Sequence, residues 1–437
     1  MDISVLLPLF ITAVGAYFLV KLRFFFIIHP IRALGATVRS FGKCRGAAVR
    51  SLSLALAGTL GVGNITGVAV GIIVGGAGSV FWLFISCIFA SVLKYAESVL
   101  TADNLSLGGG MMYIVKSSFR RLGSPLSALY AALCILLSFT MGAALQTNTV
   151  TETAEAAFGI SPIYPAAVML VLVLLGVVGG GERIEKITVF LVPLTTIIYI
   201  ILTFSVVMSN FAGIGKVLRL ILSSAFLPES AVGGVIGFLT SKGIREGYAR
   251  GILSNEAGAG TSSLAHSRNR DATPVGEGML GMCEVFFDTA LLCMLTAFAI
   301  LLSVDFPEDY SSGMSLVLSA ASSVFGSLAK APLLFSVFSF AYSTVICWYY
   351  YGLECTRFLL GSRGRTPYFI LFMASVTLGA LSDTAALIKS VDVFLLSLTS
   401  ISLLTLLKNS DRVVCLSENE NIIAKREFSK ALSRRRR

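Results

Sequence analysis

The stretch Gly58-Thr59-Leu60-Gly61-Val62-Gly63-Asn64-Ile65-Thr66-Gly67 lies in the middle of an uncharged run bounded by Arg50 and Lys94. Such a run should cross a bilayer as helix, yet each of its four glycines weakens a helix by roughly 1 kcal/mol relative to alanine. The pattern predicts a helix broken inside the membrane. Backbone opened in hydrocarbon is tolerated only where protein buries it or where it lines a water-filled cavity. The freed N–H and C=O groups then become partners for a substrate and an ion. The stretch therefore reads as a discontinuous helix of a secondary transporter, whose half-helix ends attract an anionic group on one side and a cation on the other. A glycine-packed helix crossing has the same composition and is the competing reading.

Composition places the break in a membrane protein. Of 437 residues, 55% are hydrophobic and only 13% charged, against about 25% charged in soluble domains, and mean hydropathy is +0.84. Eight cysteines are scattered through apolar runs without a C-x-x-C pair, and there are two histidines, so neither a disulfide framework nor a zinc site is implied. The N-terminal apolar run Ile3 to Val20 follows Asp2 and precedes Lys21 and Arg23, the reverse of a signal peptide's basic start. It reads as a retained first span.

Runs of about 20 uncharged residues, the length that crosses roughly 30 Å of hydrocarbon, mark the remaining spans. Residues 21–50 hold seven basic residues and no acid, which the positive-inside rule makes cytoplasmic. Two spans then fit between Arg50 and Lys94 with a turn at Gly75-Gly76-Ala77-Gly78, returning the chain to a basic side at Lys94 and Lys116. Spans near 125–149, 162–181 and 187–210 follow, then a broken one within 230–267, and others near 275–303, 331–356, 366–383 and 390–408. The serine-rich segment 310–329 reads as an outer surface or re-entrant helix. That makes eleven spans with the N-terminus outside and the C-terminus, ending in four arginines, inside. The net charge of +10 is thus largely topological, and no nucleic-acid partner is needed.

The second break is Ser254-Asn255-Glu256-Ala257-Gly258-Ala259-Gly260-Thr261. With the first span set aside, the two broken helices are first and sixth of ten. Corresponding breaks in two halves indicate an inverted repeat with its site at the repeat interface. The expected fold is an all-α integral membrane protein of five-plus-five inverted repeats plus one extra N-terminal helix. Its segments are the extra helix 1–20, the basic segment 21–50, repeat halves 51–210 and 211–408, and a basic tail 409–437.

Several stretches are similar to the signature of the bacterial alanine/glycine:cation symporters: G-V-G-N-I-T-G-V-A at 61–69, G-G-A-G-S-V-F-W at 75–82, G-G-G-M-M-Y-I at 108–114, Gln146-Thr147-Asn148, S-N-E-A-G-A-G at 254–260, E-V-F-F-D-T at 284–289 and S-T-V-I-C-W-Y-Y-Y-G at 343–352. The resemblance implies the leucine-transporter type of fold, sodium coupling and small neutral amino acids as substrates. The chain departs from the usual pattern at Val62, Leu83, Phe84, Gly110 and Leu253, which leaves the substrate open.

A zwitterionic amino acid needs N–H donors for its carboxylate and oxygen acceptors for its ammonium. Unwound backbone at Gly61, Gly63 and Asn64 supplies donors beside the positive end of the following half-helix. The Asn64 amide reads either as an ammonium or sodium ligand or as a cap on the broken helix. The expected substrate set also takes Thr59 from the first break, Leu253, Asn255 and Gly258 from the second, and Thr344. For sodium, the carbonyls of Ala57 and Leu60 are paired with the hydroxyls of Ser343 and Thr344, a pairing the resemblance supports; alone, such hydroxyls more often bond back to their own helix. The resemblance makes Gln146 a substrate contact, with an interhelical hydrogen bond as the other reading. Trp348 reads as a pocket wall or as packing, and Tyr349 to Tyr351 as an interface belt. The acids expected at membrane depth, Glu256, Glu284 and Asp288, are read as structural, holding freed N–H groups or pairing with Arg245 or Arg250, although a cation or proton role is open. His266 reads as a satisfied polar group.

These features point to sodium-coupled uptake of alanine or glycine through a cell membrane. Proton coupling or exchange with Glu256 as the titrating group, and a non-transporting amino-acid sensor, are the alternatives. A membrane enzyme is disfavoured, since no nucleophile–base pair or metal cluster falls within the spans.

Overall fold

The computed structural model describes residues 3–24, 45–226, 242–305 and 307–418. Most of the basic segment 21–50, the apolar piece before Lys242 and the arginine-rich end of the tail lie outside the described residues.

The first helix, α1 (Ile3–Lys21), packs beside the bundle. The first broken span is α2 (Arg45–Thr59) and α3 (Thr66–Gly75), joined by a single 3-10 turn at Val62–Asn64. The expected reversal falls at Gly76, whose φ of +69° suits glycine. Helix α4 (Gly78–Asp103) follows, then a short α5 (Met111–Ser118) and the long α6 rod (Gly123–Phe158) with a π-helical turn at Ser138–Ala144. Helices α7 (Ile163–Val177) and α8 (Gly180–Ser209) complete the first half. Residues 182–186, which separate the spans expected near 162–181 and 187–210, therefore lie inside α8.

An amphipathic α9 (Ile214–Ala225) buries Val217, Ile221 and Ala225, one helical face four residues apart. The second broken span is α10 (Lys242–Asn255) and the single turn α11 (Ser263–His266). Next come the α12 rod (Pro274–Ser303), α13 (Gly313–Phe325), α14 (Lys330–Leu360), α15 (Arg365–Gly379) and α16 (Thr384–Lys408). At 13 residues, α13 spans about 20 Å, too short to cross, in keeping with the surface or re-entrant reading. Each half inserts one short helix, α5 or α13, between its second and third spans, as a repeat requires.

Large apolar side chains stand on the outside of the bundle, among them Ile163, Val171, Phe190, Ile201, Ile370 and Leu378. A surface of that kind is solvated by lipid, and this is a multi-pass membrane protein. One end of the bundle is basic: Lys21 pairs with Asp411 at 2.8 Å, Arg412 with Asp103 at 2.8 Å, and Arg268 with Glu185. The other end carries both signs: Glu152, Glu155, Glu308, Asp309 and Asp383 with Lys242 near Gly75 and Lys330 over the Phe158 ring.

Helix α4 is the spine. It packs closely against α10 and α12, and glycines on both partners make this possible. A Cβ at Gly247 would collide with the Ser79 carbonyl oxygen, one at Gly251 with the Ser86 hydroxyl, and one at Gly281 would lie 2.8 Å from the Lys94 carbonyl oxygen. Small residues permit such approach where lipid offers no hydrophobic drive between helices. Two expectations fail here. Lys94 does not end a span at the basic surface: α4 continues to Asp103 and Lys94 is fully buried. Tyr349, Tyr350 and Tyr351 form no interface belt, since all three are buried in α14; Tyr349 packs on Tyr368 and Phe372.

Gly247→Ala is expected to destabilise the protein by about 1–3 kcal/mol through overpacking, read as a lower melting temperature in detergent. Gly215→Ala, whose added methyl meets nothing within 4 Å, should be neutral or stabilising by up to about 1 kcal/mol. Equal melting temperatures for Gly247→Ala and the parent would contradict the close α4–α10 contact.

Candidate transport site

The break in the first span begins where α2 loses its register. Leu60 N–H still donates to Leu56 O at 2.6 Å, but Gly61 N–H turns to Thr59 O at 2.8 Å and Asn64 Oδ1 at 3.2 Å. The Ala57 carbonyl is thereby deprived of the N–H a continuing helix would give it. Val62, Gly63 and Asn64 supply the first N–H groups of the resumed helix, and only Val62 N–H has a side-chain acceptor, Gln146 Oε1 at 3.3 Å. Gly61 is glycine because of crowding: a Cβ there would sit 3.1 Å from both Gln146 Oε1 and Thr344 Oγ1.

The second break is a left-handed chain reversal, with φ of +51° at Glu256, +85° at Gly258 and +75° at Gly260. Its freed N–H groups are claimed from within and from neighbours: Asn255 Oδ1 accepts from Ala257 at 3.0 Å, and Glu97 Oε1 on α4 accepts from Gly260 at 3.1 Å. Tyr130 of α6 donates to the Ala259 carbonyl at 2.8 Å. The N–H-binding role expected of other acids thus falls to Glu97.

The two breaks meet. Ser254 Cα lies 3.6 Å from where a Gly63 Cβ would stand, and Asp288, in a π-helical turn of α12 (Phe286–Cys293), joins both. Asn64 Nδ2 donates to Asp288 Oδ1 at 2.5 Å, and Ser254 and Thr289 hydroxyls donate to Oδ2 at 2.8 and 2.7 Å. Asn255 Nδ2 donates to the Thr289 hydroxyl at 3.0 Å. Asp288 is wholly buried and is bonded by hydroxyls and an amide, with no ion pair among the described residues. A buried carboxylate without a counter-charge is costly, and its oxygens with the Ser254 and Thr289 hydroxyls are the kind of hard donor that suits a hard cation. The expected pairing with Arg245 or Arg250 is not formed: Glu284 bonds Lys94 at 2.8 Å and His266 at 3.3 Å, while Arg250 bonds Glu246 at 3.0 Å.

A cavity of about 350 Å³ runs from the breaks toward Glu152, Ser311 and Thr384, near the lower limit for small-molecule sites of about 300–1,000 Å³. Thr59, Gly61, Gly63, Gln146, Leu253 and Glu256 line it, and Glu152, Ser311 and Thr384 stand toward its mouth. Six residues of the expected site thus come together or beside one another, since Thr344 reaches Leu60 O at 3.3 Å just behind Gly61. The others lie elsewhere. Asn64 and Asn255 face Asp288 and Thr289, and the Asn64 cap reading is the one its bond to Gly61 fits. Gly258 points at Leu403 and Thr399 of α16. Trp348 is fully buried against Gly142 and Tyr351, so it packs α14 on α6 rather than walling the cavity. Of the expected sodium oxygens, Leu60 O and Thr344 Oγ1 converge, whereas Ser343 Oγ donates to Phe340 O of its own helix at 2.9 Å.

A model of the sodium:alanine symporter family matches residues 2–421. A sodium/alanine symporter of Methanococcus maripaludis is 30% identical over 396 residues, covering 87% of this chain and 86% of its own. A putative sodium/proton-dependent alanine carrier protein of Bacillus subtilis is 32% identical over 375 residues, covering 80% and 75%. Among solved structures, MhsT in complex with L-phenylalanine matches with a TM-score of 0.60 at 14% identity, over 82% of this chain and 87% of that one; at that identity the likeness speaks for the leucine-transporter type of fold. Two interrupted helices facing one another across a small cavity, on this fold and with relatives of this kind along nearly the whole chain, have one explanation: the chain belongs to the sodium:alanine symporter family, whose members are transporters and not enzymes.

Proposed function

We propose that the chain carries a small neutral amino acid, alanine or glycine, together with sodium across the cell membrane, by alternating access around the cavity between its two breaks. The observation that carries this reading is the meeting of both breaks at the cavity floor through Asp288. A substrate carboxylate seats on the N–H groups of the Val62–Asn64 turn that leads into α3, displacing the long bond from Val62 to Gln146, where the helix dipole favours negative charge. The ammonium turns to the Gln146 carbonyl oxygen and to the carbonyls freed at the end of α2, the negative half-helix end. Crowding of Gly61 by Gln146 and Thr344 and the flank of Leu253 leave room for a short side chain.

Sodium sits where hard oxygens gather. The Ala57 and Leu60 carbonyls with Thr344 and, after rotation, Ser343 make one such place. Asp288 with Ser254 and Thr289 makes a second, at which the cation supplies the missing counter-charge. The basic end faces the cytoplasm by the positive-inside rule, which sets the N-terminus and the cavity mouth outside. Relatives bearing sodium and alanine in their names support the choice of ion and substrate.

In proteoliposomes, labelled alanine uptake should require an inward sodium gradient; equal uptake with potassium replacing sodium would contradict the coupling. Gly61→Ala should lower uptake at least about tenfold, the factor that roughly 1.4 kcal/mol of lost binding gives, with little change in melting temperature. Asp288→Asn should raise the sodium concentration for half-maximal uptake by about tenfold or more. An unchanged sodium dependence in that variant would remove Asp288 from the ion site.

A further inference from the structure

A second cavity, of about 910 Å³, lies apart from the transport site and shares no lining residue with it. It is a groove between α7, α8 and α14, with the last turns of α6 at one end. It opens sideways onto the lipid-facing surface: Tyr164 of α7, Phe190 of α8 and Phe335 of α14 line it and are 66%, 71% and 44% exposed. Tyr342 forms its floor by crossing from α14 to α7, where its hydroxyl donates to Leu172 O at 3.2 Å. Gly176 leaves the room for that crossing, since a Cβ there would lie 2.6 Å from the Tyr342 hydroxyl.

The groove follows the membrane normal. At one end Lys330 Nζ lies 6.0 Å from the centre of the Phe158 ring; at the other, Arg183 and Lys186 of α8 line it. That second end is the basic end of the bundle, because Glu185, between those two residues, bonds Arg268, and Gly181 faces the Tyr350 ring. From Lys330 to Tyr350, α14 spans about 30 Å, the thickness of the hydrocarbon core. An acyl chain, which also runs along the normal, therefore finds a channel that ends on two cations at the level where headgroups begin.

Among the described residues, neither Arg183 nor Lys186 has an ion pair or a side-chain hydrogen bond: Glu185 is held by Arg268, and the exposed Glu182 does not line the groove. Arg183 folds back over the Gly179-Gly180-Gly181 turn, so that a Cβ on Gly179 would stand 2.5 Å from its Cδ. No side chain caps the start of α8, a helix of 30 residues, which leaves its first N–H groups and the positive end of its dipole open to an anion. Helix starts of this kind take phosphate.

The lining decides which anion. Free phosphate would leave the apolar length of the groove unfilled, and an uncharged chain would leave both cations unpaired. A zwitterionic phospholipid would bring a further positive charge beside them. We propose that the groove holds one anionic phospholipid from the leaflet at the basic end, its phosphate on Arg183, Lys186 and the start of α8, and one acyl chain laid along Phe190, Leu334 and Phe338. Basic pockets between membrane helices recognise anionic lipid heads in this way. The lipid braces α14 against α8, and α14 carries Thr344, whose hydroxyl reaches Leu60 O at the first break. It therefore steadies the helix that backs the transport cavity.

Delipidated full-length protein in detergent is titrated with phosphatidylglycerol, or with phosphatidylcholine of the same acyl chains, and bound lipid is counted by native mass spectrometry. One phosphatidylglycerol should bind at least about tenfold more tightly than phosphatidylcholine. The double variant Arg183→Gln/Lys186→Gln should lose that preference, whereas Lys216→Gln/Arg219→Gln, on the exposed face of α9, should keep it. Leu334→Trp, which fills the groove and leaves both cations in place, should weaken phosphatidylglycerol binding at least about tenfold. Equal binding of the two lipids by the parent protein overturns the proposal without recourse to any variant, and so does an undiminished preference in Arg183→Gln/Lys186→Gln. Displacement of the lipid by millimolar inorganic phosphate would reduce the site to one for a free ion and overturn it as well. Near-complete disulfide-linked dimer formation by Phe335→Cys in native membranes would assign the groove to a second copy of the chain, with the same consequence.

Discussion

Everything in this molecule depends on how it tolerates open backbone at the depth of the membrane. An unpaired N–H or C=O there has no water to fall back on, so a break in one helix has to be answered by something nearby. Here side chains of each break take part of its open backbone, Asn64 from Gly61 and Asn255 from Ala257, and Asn64 and Ser254 then share the Asp288 carboxylate. The two interruptions are therefore one structural object. That object is also an electrostatic one, because it brings a positive helix start and two negative helix ends beside a cavity, with the buried Asp288 carboxylate behind its lining.

The spine α4 makes the arrangement possible. Glycines of α10 and α12 let those helices approach its backbone, and this closeness places Lys94 and Glu97 within reach of the second break and of Glu284. Rigid support for the site and the buried ionic cluster thus come from the same helix.

Much of this was legible in the sequence because it was written as backbone chemistry. Glycines clustered around Asn64 and around Gly258, in corresponding spans, announced both breaks, and the reversal at Gly75 to Gly78 followed from composition alone. Side-chain partnerships across the bundle were not legible. Lys94 looked like the basic end of a span because charge is ordinarily a boundary marker in a hydropathy reading. Only the observation that an apolar sequence resumes through Val99 and Leu100 could have suggested a buried lysine, and the buried acid at Glu284 its partner. The partners of Asp288 are not legible either, because two of the three, Asn64 and Ser254, lie 224 and 34 residues away in the chain, a pairing that no local period reveals. The three tyrosines stand apart from their expected interface for the same reason: α14 is buried all round over residues 343–353, and an aromatic there packs against glycine or aromatic neighbours, as Trp348 does in line with its packing reading.

The central claim is that both breaks form the floor of one amino-acid site. A cryo-electron microscopy structure of the protein with alanine and sodium tests it most directly. The account predicts ligand density between the Gly61–Asn64 turn and Gln146, with the carboxylate at hydrogen-bonding distance, about 3 Å, from the amides of the Val62–Asn64 turn. Density for the amino acid elsewhere, or helical winding carried unbroken through Gly63 or Gly258, would contradict it.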